Sequence, residues 1–149
     1  MWNKIDSINW KTYKFRDSEI NDIPTLLRGL FDPNPNHRLF CMMVLSMQIT
    51  RAYKEATNDL PLLIAPILIE LLEQETVPDL AVVLDNLIEM ASFSDPRIVN
   101  EPYKSLSRRI KSEVCKGLPV YKRLLIDVST DSSDYIALTD LIKICESGD

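Results

Sequence analysis

The 149-residue chain predicts an all-α fold: a short row of about three helical hairpins plus one inserted basic helix. Three observations lead there. Only three glycines occur, and no Asn-Gly, Asp-Gly or Gly-Gly pair supplies a hairpin turn. No segment alternates apolar and polar residues as a half-buried strand would. The punctuation is nine prolines with many Asp, Ser and Asn, which suits helix starts. The length and the hydrophobic share of 46% fit one soluble domain, residues 1–149, with a core of its own.

The elements follow from a repeated pattern. "NDIPTLLRGLF" (21–31), "IAPILIELLEQ" (64–74) and "GLPVYKRLLID" (117–127) each place a proline six residues before a leucine: Pro24 and Leu30, Pro66 and Leu72, Pro119 and Leu125. Proline in a first helical turn loses no hydrogen bond, because that N–H has no intrahelical partner. A polar break follows each copy, and then a second apolar-periodic helix: 38–47, 80–90 and 135–145. Asp17 or Ser18 is the expected cap of the first helix, and Asp131 or Ser132 that of the last. Pro66 is read as a break between helices rather than a kink in one that starts at Pro61. The resulting hairpins span about 18–50, 60–92 and 118–146. One hairpin cannot cover its own apolar face, so copies are expected to stack.

Prolines 24 and 66 lie 42 residues apart, but 66 and 119 lie 53 apart, which leaves room for one extra element. It is the helix of about 101–116. Tyr103, Leu106, Ile110 and Val114 form a narrow apolar stripe, and Lys104, Arg108, Arg109, Lys111 and Lys116 occupy the other faces. A helix of this kind is expected to pack on one side, at an edge, with Gly117 as a left-handed stop. The aromatic N-terminus (Trp2, Trp10, Tyr13, Phe15) reads as a cap over the first hairpin.

The spacing of Trp10 and Tyr13, with "DIPTLLRGLFDPNPNHR", "EATNDLPLLIAPILIELLEQ" and "CKGLPVYKRLLID", resembles small bacterial HEAT-like repeat proteins. That resemblance implies a short α-solenoid. Some proteins of this kind are immunity proteins of polymorphic or contact-dependent toxin systems, so it also admits a toxin inhibitor as the function.

Catalytic equipment is sparse. The one histidine, His37, has Cys41 four residues on, but no further ligand at zinc spacing, so no metal site is expected. GxSxG, GxxxxGK[ST] and GxGxxG are absent. No catalytic residue and no cofactor are predicted, and the protein is not expected to be an enzyme. Cys41, Cys115 and Cys145 lack paired spacing, which points to a reducing compartment. With no apolar run near the roughly 20 residues that span a bilayer, a cytoplasmic location and no membrane partner are expected.

Charge is the distinctive feature. Residues 55–95 carry nine acids and no lysine or arginine, 97–123 are net +6, and 124–149 are net −5. Stacked hairpins would gather Glu73, Glu75, Asp79, Asp85, Glu89, Asp127, Asp131, Asp134 and Asp140 into one acidic ridge. Crowded like charge lowers stability, and a cationic partner gives that cost a purpose. The expected function is therefore a binding module that neutralises a basic protein partner, most specifically a nuclease-like toxin domain. The alternatives are nucleic-acid binding or an enzyme function at the basic helix 101–116, or an adaptor with a different partner. The whole-chain charge of −5 weighs against nucleic acid. The oligomeric state is not legible in the sequence.

Overall fold

The computed structural model describes residues 1–10, 23–55, 59–93 and 103–147, and every regular element within them is a helix. In order these are α1 (Trp2–Asp6), α2 (Ile23–Gly29), α3 (Pro35–Glu55), α4 (Leu60–Gln74), α5 (Leu80–Ala91), α6 (Tyr103–Cys115), α7 (Leu118–Asp127) and α8 (Ser133–Glu146). The expected caps Asp17 and Ser18, and the aromatic residues Tyr13 and Phe15, lie outside the described residues.

Consecutive helices pack in pairs, α2 on α3, α4 on α5 and α7 on α8, and α5 touches both α3 and α8. The core runs through all of them. Leu27, Leu45, Ile64, Leu68, Leu84, Leu87, Leu138 and Leu141 are fully buried, and each such side chain contributes about 1.5–3 kcal/mol of burial. The helix starts have local causes. Asn34 Oδ1 accepts the Asn36 N–H at the entry to α3, Asp79 caps α5 by accepting from Ala81, and Ser132 caps α8 by accepting from Tyr135. Pro24 and Pro119 stand in the first turns of α2 and α7.

Pro66 does not break the chain. Helix α4 starts at Leu60, with Pro61 in its first turn, and continues through Pro66 to Gln74. An interior proline forfeits the bond it would donate to the residue four earlier, at about 3 kcal/mol. Ile64, Ile67 and Leu68, buried around it, together outweigh that cost at about 1.5–3 kcal/mol each. Burial decides the helix here, and the proline is carried on its exposed face.

Gly117 is no left-handed stop either. Its φ is −79° and ψ 0°, and it serves as the N-cap of α7. What requires glycine is space: a Cβ there would lie 2.5 Å from the Tyr121 hydroxyl and 2.9 Å from Ile69 Cγ1. Tyr121 is fully buried, and its hydroxyl donates to the Val114 carbonyl at 2.7 Å, tying the start of α7 to the end of α6. Helix α6 buries Leu106, Ile110 and Val114 as the stripe predicts. It packs on that one side, as expected, but it is not an edge helix, since α6 lies against α4 and α5 and also approaches α3 and α8. Gly29, in α2, has the same spatial role as Gly117. A Cβ on it would fall 2.9 Å from Cys41 Cβ of α3 and press on the sulfur as well.

At the N-terminus, Trp2 meets Phe31 edge-on with centroids 5.5 Å apart. Arg28 lies 5.1 Å above the Trp2 ring and grips Asp6 with both nitrogens, at 2.8 and 2.6 Å. The Trp10 indole donates to the Ile5 carbonyl at 2.8 Å. So α1 is tied to α2 through Arg28, and Trp2 and Trp10 are packed rather than displayed.

Candidate interaction surface

Four of the nine predicted acids are tied together by hydrogen bonds and charge–charge coupling. Asp79, the cap of α5, and Asp134, in the first turn of α8, each place Oδ1 3.2 Å from the Ala81 amide. One N–H serves two carboxylates because α5 packs on α8, and the bond from Ala81 to Asp134 joins their N-terminal turns. Burial, and next the Asp79 charge, hold the Asp134 carboxyl above its ordinary value, while the Ala81 bond pulls the other way. Asp85, one turn further along α5, is raised by partial burial first, then by Asp79 and Glu89. Glu89 completes the row. It accepts from Ser46 and Thr50 of α3, the latter at 2.6 Å.

The remaining acids are placed as follows. Glu73 is exposed near the end of α4, in a cleft of about 310 Å³ lined by Pro66, Ile69, Glu70, Gln74, Glu113 and Lys116. Glu75 caps the C-terminus of α4 in extended backbone, and its N–H returns to Leu71. Asp127 ends α7, Asp131 lies in the turn before α8, and Asp140 is mid-helix in α8; all three are exposed. Residues 55–95 hold no cation in sequence, yet cations approach them in space. Lys4 reaches Glu70 at 3.2 Å, and Lys116 shares the cleft of Glu73 while bonded to Glu113 at 2.6 Å.

Sequence reasoning missed the partners of Glu89. Ser46 and Thr50 are spaced i, i+4 and so share a face of α3. That signal was available, but only if α3 was extended beyond residue 47, and it runs to Glu55.

The cations of α6 form a second charged surface, with Lys104, Arg108 and Arg109 exposed. Lys122, on α7, pairs with Glu146 at 2.6 Å. His37 is exposed, 3.5 Å from Cys41 Sγ and 4.0 Å from Asp32. Among the described residues no three potential ligands converge to hold a metal. Cys41, Cys115 and Cys145 are free thiols. Burial, then a hydrogen bond with Cys115, pushes the Cys145 thiol up to about 12, and burial also raises Cys41. Both are protonated at neutral pH, which is the unreactive form.

Among the described residues no helix is long and apolar enough to cross a membrane. No protein-family model matches the chain, and neither a curated protein nor a solved structure shows significant similarity to it.

Proposed function

We propose that this protein is a binding module that occupies a cationic surface of another protein, and that it acts as a cytoplasmic immunity protein against a nuclease-like toxin. The observation that carries the reading is the convergence of Asp79, Asp85, Glu89 and Asp134 across the α5–α8 contact. Two of these carboxyls are held above their ordinary values by burial and by their neighbours' charge. Folding thus retains an electrostatic cost that a basic partner would relieve. A nuclease supplies such a partner, because it is positive where it grips phosphate. The helix order supports a HEAT-like solenoid beneath this surface. Pairs α2–α3, α4–α5 and α7–α8, with α5 touching both α3 and α8, are the contacts stacked hairpins make.

The test is affinity capture from the source cell by the wild type and by a variant with Glu73→Lys, Asp85→Lys, Asp127→Lys and Asp131→Lys. All four residues are exposed, whereas Glu89 and Asp134 are left intact because they join helices. The wild type should retain a basic nuclease-like protein and protect cells that express it. The variant should do neither while keeping its helical circular dichroism. Retention of that protein by both forms, or of no basic protein by the wild type, overturns the reading.

A further inference from the structure

Two of the three thiols meet in the fold, although 30 residues separate them in sequence. Cys115 is the last residue of α6 and Cys145 the last but one of α8, and those helices are in contact. Helix α7 ties the two ends together through consecutive residues. The Tyr121 hydroxyl bonds the carbonyl of Val114, which precedes Cys115, at 2.7 Å, and Lys122 pairs with Glu146, which follows Cys145, at 2.6 Å. The Cys145 thiol shares a hydrogen bond with Cys115. Both sulfurs also act on the buried Tyr121 hydroxyl, so the three groups form one cluster. The two cysteines are half-buried and within reach of a small solute, whereas Cys41 is buried against Gly29 of α2.

We propose that Cys115 and Cys145 are a redox pair, which hydrogen peroxide closes to a disulfide that staples the end of α6 to the end of α8. The Cys115 sulfur attacks one peroxide oxygen. The O–O bond breaks, an S–O bond forms, and water leaves. The Cys145 sulfur then displaces the oxygen of this sulfenic acid, which forms the S–S bond and releases a second water. Two thiols thus lose two electrons and two protons, and these reduce one peroxide to two waters. The order of the steps follows from the site. Burial keeps Cys145 protonated, so it is slow toward free oxidant and suited to the second step, where its target is adjacent. The nearby Lys111 charge favours the Cys145 thiolate in that step. Both residues stand at helix ends, where the backbone adjusts to the narrow geometry of a disulfide more readily than in mid-helix. In a reducing compartment such a pair rests as thiols and closes under oxidative stress. The loop it closes contains α7 and nearly all of α8, so oxidation fixes the C-terminal helix pair against α6.

Treatment of the native full chain with a several-fold excess of hydrogen peroxide tests this, read by intact mass and peptide mapping. The product should be lighter by two hydrogens, with Cys115 linked to Cys145 and Cys41 still open to alkylation after denaturation. Its melting temperature should rise by roughly 5–10 °C and fall back on addition of dithiothreitol. In Cys145→Ser the reaction should stop at a sulfenic acid on Cys115, trapped by dimedone. In Cys115→Ser no sulfenic acid should form on Cys145. Three results overturn the inference: no link between Cys115 and Cys145 in the treated wild type, a link that uses Cys41 instead, or an unshifted melt in the linked protein. A dimedone adduct on Cys145 rather than on Cys115 overturns the order of the two steps.

Discussion

Asp79 and Asp134 reach the same Ala81 amide from two different helices, each at 3.2 Å. A single N–H bond thus faces two negative charges, and the fold keeps them together through the packing of α5 on α8. Because burial and Asp79 raise the Asp134 carboxyl, the folded state holds that proton more tightly than the unfolded chain does. The stabilising contribution is therefore complete below the ordinary value of 3.8 and is lost as pH rises through the folded value. Asp134→Asn keeps an acceptor for Ala81 and removes the charge. Its melting temperature should exceed the wild type's by a few degrees at pH 7, and the gap should close as pH falls toward 3.8, in melts followed by circular dichroism.

Glu89 has the opposite character. Its two oxygens take hydroxyl hydrogens from Ser46 and Thr50, joining α5 to α3. Glu89→Ala leaves both donors without their acceptor and should cost about 1.5–3 kcal/mol in urea unfolding. Glu89→Gln retains an acceptor and should recover part of that loss. Equal stabilities for all three proteins would show that the contact contributes nothing.

Gly117→Ala separates conformational from steric reasoning. In open space, alanine replacing a glycine at negative φ stabilises by about 0.4–1 kcal/mol through the unfolded chain. Here its methyl group would lie 2.5 Å from the hydroxyl of a fully buried tyrosine. Overpacking should win, with a loss of about 1–3 kcal/mol. The sign of the change, read from denaturant midpoints, decides between the two.

Pro66→Ala should stabilise. The residue is exposed within α4, so little packing is lost, and the restored N–H can bond to Leu62. The expected gain is about 1–3 kcal/mol, measurable as a rise in melting temperature at constant helix content.

Periodicity carried the helices. The second members of each pair were legible because apolar residues recur at helical spacing within 38–47, 80–90 and 135–145. Two errors came from treating local punctuation as decisive. Pro66 has the same sequence context as Pro24 and Pro119, but enough apolar area surrounds it to hold the helix intact. Gly117 looked like a backbone device, whereas its requirement comes from Tyr121, four residues later and packed back over it. The clustering of Asp79 with Asp134 was foreseeable only in outline, since it depends on which turns of α5 and α8 touch. The cations near Glu70 and Glu73 were not legible at all. Lys4 and Lys116 arrive from distant parts of the chain, and charge blocks in sequence say nothing about such meetings.

The fit of Gly29 against Cys41 turns that sulfur into a clock. With α2 seated, Gly29 leaves no room for a methyl group on its side of the thiol, and Cys41 is buried, so an alkylating reagent must wait until the contact opens. The labelling rate of Cys41 therefore reports how often the α2–α3 contact opens, whether α2 lifts away alone or the whole molecule comes apart with it.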